Sequence, residues 1–112
     1  MASSYIPNRG DLVYLDFNPT KGHEQRGYRP ALIISPAAYS EKSSLALFCP
    51  ITSQRKGYPF EVLLPEDLQT QGVILIDQIR SLDWRVGQIK FLETVSPEII
   101  AEVQAKITPL IY

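Results

Sequence analysis

Along the chain, short β-like segments precede a single stretch with helical spacing. Over Asp11 to Phe17 the side chains alternate: Val13, Leu15 and Phe17 fall on one side, Leu12, Tyr14 and Asp16 on the other. That period of two predicts a half-buried strand. Ala31 to Ser35 and Leu45 to Ile51 are near-continuous apolar runs, which suit strands covered on both faces. Tyr58 to Leu64 alternates again, with Tyr58, Phe60, Val62 and Leu64 opposite Glu61. Gly72 to Ile79 and Gln88 to Val95 complete a set of six predicted strands, with Gly, Pro, Asn and Ser gathered between them. Many short strands at this spacing predict a small barrel or a strongly curled sheet.

The C-terminal stretch changes period. Ser96 suits an N-cap, Pro97 the first helical position, and Glu98 the positive end of the helix dipole. Ile99, Ile100, Val103 and Ile107 then form one apolar stripe, Glu102 and Lys106 stand at i,i+4, and Pro109 is expected to end the helix. This helix reads as a lid packed on the sheet. The predicted class is therefore mainly β with one C-terminal α-helix.

Composition narrows the function. The 112 residues fit one domain, and 45% apolar with 21% charged residues is ordinary for a soluble globular protein. No apolar run is long enough to span a bilayer, and the polar N-terminus shows no secretory pattern, so a cytoplasmic location is expected. The lone Cys49 excludes an internal disulfide and a cysteine-based zinc cage, and no His, Asp and Cys cluster has the spacing of a metal site; no cofactor is expected. A net charge of -1 runs against general nucleic-acid affinity, which rests on phosphate neutralisation. The cations are clustered, however: Lys21, Arg26 and Arg29, then Arg55 and Lys56, then Arg80 and Arg85. Any one cluster alone is most simply a solvated loop. Together they leave room for a short nucleic-acid stretch held in a groove.

The segment Asn18 to Pro30, N-P-T-K-G-H-E-Q-R-G-Y-R-P, is too long and too rich in chemistry for a plain connector. With its flanks it reads G-D-L-V-Y-L-D-F-N-P-T-K-G-H-E-Q-R-G-Y-R-P-A-L-I-I-S, which resembles the opening strand, loop and second strand of MazF-type toxins. The resemblance continues, in order, through P-I-T-S-Q-R-K-G-Y-P-F-E-V at Pro50 to Val62 and D-Q-I-R-S-L-D-W-R at Asp77 to Arg85. Three collinear blocks cover nearly the whole chain as one MazF-like toxin domain, residues 1–112. The resemblance implies an SH3-like small β-barrel shared with the CcdB and Kid toxins, a homodimer, and sequence-selective cleavage of single-stranded RNA. It also implies a MazE-type antitoxin whose acidic, largely disordered tail lies across the RNA groove, with DNA reached only through that antitoxin. The chain departs from the family pattern chiefly at Leu64 to Gln71 and Gly87 to Glu93, segments that bear on cleavage sequence and antitoxin choice.

RNA scission needs a base for the 2′-hydroxyl, an acid for the 5′-oxygen and donors for the phosphorane oxygens, and positioned acid–base groups contribute about 10²–10⁴-fold. His23 is the only histidine; one His cannot serve unaided as both acid and base, and it reads better as a substrate contact. Glu24 is the better base: an arbitrary loop glutamate is a solvated charge, but this one lies in the matched motif, five residues before Arg29. The planar fork of Arg29 suits a bidentate phosphate clamp that stabilises developing charge. Free arginine titrates above about 12, so a role as general acid comes from the resemblance alone. Thr52 is either a β-former with its hydroxyl bonded locally or, by the resemblance, a hydroxyl aimed at the phosphate.

Gln25, Arg26, Ser53 and Gln54 are candidate RNA contacts, and Lys56 a backbone-phosphate contact. Asp77, Gln78 and Ser81 interrupt an apolar strand, placed either to read bases or to support Arg29. Tyr28 and Trp84 are candidates for stacking on unpaired bases, with core or interface packing as the alternative for Trp84. Cys49, inside an apolar strand, reads as a core residue rather than a nucleophile. Two other classes remain at this point: a CcdB-like topoisomerase poison without a catalytic site, and a non-catalytic RNA- or peptide-binding barrel. The first goes with a Trp-Gly-Ile ending, whereas this chain ends Pro-Leu-Ile-Tyr and carries Glu24, Arg29 and Thr52.

Overall fold

A computed structural model describes residues 5–16, 28–86 and 88–112. Seven strands and two helices follow one another as β1 (Asp11–Asp16), β2 (Tyr28–Ile33), α1 (Ala37–Ser43), β3 (Leu45–Thr52), β4 (Glu61–Leu63), β5 (Val73–Leu75), β6 (Arg80–Asp83), β7 (Lys90–Thr94) and α2 (Pro97–Ile111). A 3₁₀ turn at Ile76–Gln78 joins β5 to β6. The strands pair antiparallel in the order β4-β5-β3-β2-β1-β7, with β6 also on β3. This sheet, with its C-terminal helix, is the mainly-β, small-barrel-like architecture expected, although its ladder does not close β4 onto β7.

β1 is covered on both faces, not half-buried as its alternation predicts. Leu12 packs with Leu32, Cys49, Ile51 and Ile74 beneath Ile99 and Val103 of α2. Val13 and Leu15 pack on the other side with Ile33, Phe48 and Trp84. Two small cores therefore share the central strands. Only Tyr14 of this strand is exposed, stacked on Tyr28 with ring centroids 5.7 Å apart.

Four other features differ from expectation. Helix α1 was not foreseen: among its seven residues only Ser40 is buried, so it has no apolar stripe to read. The predicted strand from Tyr58 shrinks to Glu61–Leu63, because Pro59 has no N–H for a ladder and Gly57 turns the chain at φ +79°. In α2, Ser96 Oγ accepts from the Ile99 N–H at 3.4 Å as predicted, but the helix runs past Pro109 to Ile111. Lys106, expected to pair with Glu102, donates from Nζ to the Glu61 carbonyl at 3.1 Å. Among the described residues no helix is long and apolar enough to cross a membrane.

Candidate active site

The predicted site residues meet through the register of β3 with its neighbours. On one edge, Ala31 faces Pro50 and Ile33 faces Phe48. Beyond the last of these pairs, Arg29 of β2 and Thr52 of β3 come to line the same cavity. On the other edge of β3, Thr52 faces Val73 and Ile51 faces Ile74, whereas Phe48 faces Arg80. Between those pairs β3 has two residues and its partner five, so three extra residues must loop out. They form the turn Ile76–Gln78, which carries Asp77 and Gln78. The expected continuous strand over Gly72 to Ile79 is broken for this reason.

Arg29, Thr52, Gln54, Lys56, Asp77 and Gln78 consequently line one open cavity of about 310 Å³. Four lining residues were not anticipated as site residues: Tyr58, Phe60, Glu61 and Leu75. A tyrosine set between Gly57 and Pro59 beside Lys56 was the available signal for Tyr58; a turn there leaves the ring 61% exposed. Glu61 gave no such signal, since its role is made by the loop that it ties. Its carboxylate accepts from the Gly57 N–H at 3.0 Å and from the Lys56 N–H at 3.2 Å, shaping the segment that presents Gln54 and Lys56. The Thr52 hydroxyl accepts from the Gln54 N–H at 3.1 Å, which leaves its own hydrogen to donate.

Backbone geometry at the cavity wall depends on Gly72. It sits at φ +120°, and a Cβ there would lie 2.2 Å from the Thr52 carbonyl oxygen. Only glycine lets β5 approach the end of β3 this closely. Leu64 then closes the turn by donating its N–H to the Gly72 carbonyl at 3.0 Å.

Other predicted residues stand elsewhere. Ser53 is exposed beside the cavity without lining it. Ser81 of β6 pairs with Leu47 of β3 and does not line the cavity. Tyr28, the neighbour of Arg29 on β2, does not line this cavity; its hydroxyl donates to Gln88 Oε1 at 3.1 Å. Trp84 is core: it is 8% exposed and its Nε1 donates to the Ser40 carbonyl at 2.9 Å. Cys49 is buried, and burial, with the Asp77 charge adding to it, pushes its thiol up to about 12, which removes it as a nucleophile. His23, Glu24, Gln25 and Arg26 lie outside the described residues. The two segments that depart from the family pattern touch, since the Glu93 carboxylate accepts from the Gln69 and Thr70 N–H groups; neither lines the cavity.

The cavity thus joins two cations to hydroxyl, amide and carboxylate groups, with an exposed aromatic ring at its rim. Such a set can hold a phosphate and leave room for an unpaired base. Residues 8–111 match the family model described as PemK-like, MazF-like toxin of type II toxin-antitoxin system. The chain is 47% identical over 111 residues to the endoribonuclease toxin MazF of Escherichia coli K12, covering 99% of each. A crystal structure of MazF from Deinococcus radiodurans superposes with a TM-score of 0.87 at 49% identity, over 96% of this chain and 98% of that one. A MazE–MazF crystal structure from the same organism superposes at 0.86 with 44% identity, over 96% and 97%.

Proposed function

This chain belongs to the PemK-like, MazF-like toxins of type II toxin–antitoxin systems, and from that premise we propose how its residues cut RNA. It is an endoribonuclease toxin, with RNA as substrate and a MazE-type antitoxin as its controlling partner. The topoisomerase-poison and non-catalytic readings are set aside. In our reading the enzyme works on single-stranded RNA in the cytoplasm, as a homodimer and without a metal. An acidic antitoxin tail competes with RNA for the same groove.

One observation supports the mechanism: Arg29 of β2 and Thr52 of β3 line one cavity with Lys56. Arg29 clamps the scissile phosphate and stabilises charge on the phosphorane, with the Thr52 hydroxyl as a second donor. Lys56 holds a neighbouring phosphate. The nucleophile is the ribose 2′-hydroxyl, already beside the phosphorus, so that attack is intramolecular. Glu24 takes its proton, the O2′–P bond forms, and the P–O5′ bond breaks as the 5′-oxygen gains a proton. The products are a 2′,3′-cyclic phosphate and a 5′-hydroxyl end.

An oligonucleotide with one deoxyribose 5′ to the scissile phosphate tests this chemistry in EDTA. The all-ribose strand should be cut and the substituted strand bound but left whole. Cleavage of both at equal rates would make water or another group the nucleophile.

A further inference from the structure

Among the cations of the cavity stand two carboxylates, and their situations differ. Glu61 is occupied by the Lys56 and Gly57 N–H groups. Asp77 is exposed on its 3₁₀ turn, lines the same cavity, and accepts no hydrogen bond from another described residue. An ionised carboxylate accepts and never donates. Placed beside a polyanion, it repels phosphate and is compatible only with a donor on the RNA. The donors RNA offers are its 2′-hydroxyls and the N–H groups of its base edges. A cavity of about 310 Å³ is at the small end of ligand pockets, room for one unpaired base. Tyr58, 61% exposed at its rim, offers a face for stacking, and Leu75 an apolar wall. Gln54 and Gln78 also line it, but their amides rotate to offer donor or acceptor and so discriminate little. Asp77 is the fixed acceptor.

We propose that this cavity admits one unpaired base bearing an exocyclic amino group, and that Asp77 selects it by accepting from that amino edge. Uracil is rejected there, because two carbonyl oxygens flank its single N–H and face the carboxylate. The inference rests on the endoribonuclease reading and adds its specificity.

The test maps cut ends on one long mixed-sequence RNA for the wild-type protein and for Asp77→Asn. Wild-type cuts should share an amino-bearing base at one fixed position relative to the scissile bond. A carboxylate–amino contact discriminates by about 1–3 kcal/mol, so uracil at that position should be disfavoured roughly 5- to 150-fold. Asparagine presents both an amide donor and a carbonyl, so Asp77→Asn should cut uracil-containing sites and flatten the preference at that position alone. A short substrate lacking only that amino group, inosine for guanosine or purine riboside for adenosine, should be cut poorly by wild type, with no further loss in the variant. An unchanged site pattern in Asp77→Asn, slowed equally everywhere, would overturn the inference and leave the ribonuclease standing. Failure of the wild-type protein to cut any RNA would instead overturn the proposed function, and the inference with it.

Discussion

Two hollows on this molecule hold similar residue types and differ in what those residues are already doing. The larger, about 490 Å³, is lined by Trp84, Arg85, Glu41 and Tyr5. By size and by its aromatic and charged lining it would be the first choice for a nucleic-acid site. Its rings and its arginine are already engaged, however. Arg85 lies 4.7 Å over the Trp84 ring, the indole N–H is bonded to the Ser40 carbonyl, and the Tyr5 hydroxyl donates to Asp11 at 2.6 Å. The smaller cavity, about 310 Å³, keeps Tyr58 exposed and Asp77 unoccupied among the described residues, with Arg29 and Lys56 on its wall. Volume does not choose the site; uncommitted donors, acceptors and ring faces do.

Substitutions can break this contrast. The largest expected effect is on stability, at Trp84. Trp84→Ala removes a buried aromatic and orphans the Ser40 carbonyl, and large-to-small changes of this kind cost about 3–5 kcal/mol. Denaturant titration should show that loss, while the fraction that remains folded cuts RNA at the wild-type rate. Intact stability with lost cleavage would move the site to the larger hollow.

Arg29 should behave in the opposite way. Arg29→Lys keeps the charge but not the planar fork, and removing a transition-state donor costs about 2.7–4 kcal/mol in the rate. Single-turnover cleavage should fall about 10²–10³-fold at unchanged melting temperature. A near wild-type rate would disprove the phosphate clamp.

Gly72 should sit between the two, moving both readouts by less. Gly72→Ala must displace β5 from the Thr52 carbonyl, and strain of this kind is worth about 1–3 kcal/mol. Melting temperature and cleavage rate should drop together, although Gly72 does not line the cavity. An alanine variant equal to wild type in both would show that β5 does not seal against the end of β3.

Local pattern alone determined much of this protein. The period-two run at Asp11 to Phe17 located β1, the continuous apolar runs at Ala31 to Ser35 and Leu45 to Ile51 located β2 and β3, and cap chemistry at Ser96 and Pro97 located the start of α2. Such signals are short-range and repeat along the chain, so they can be read without a partner strand. Residue type and motif likewise singled out Arg29, Thr52, Gln54, Lys56, Asp77 and Gln78, which the fold gathers into one cavity. Tertiary structure decided the rest. That β1 is buried on both faces depends on what covers the second face, and one strand's alternation does not encode its neighbours. The break between β5 and β6 comes from two registers on the same edge of β3 differing by three residues, a long-range property of pairing. The same holds for side chains of like type. Trp84 went to the core and Tyr58 to the surface, Glu61 to its loop and Asp77 to the cavity, because each hydrogen bond or packing contact that commits a group is made by residues distant in sequence or by the turn around it.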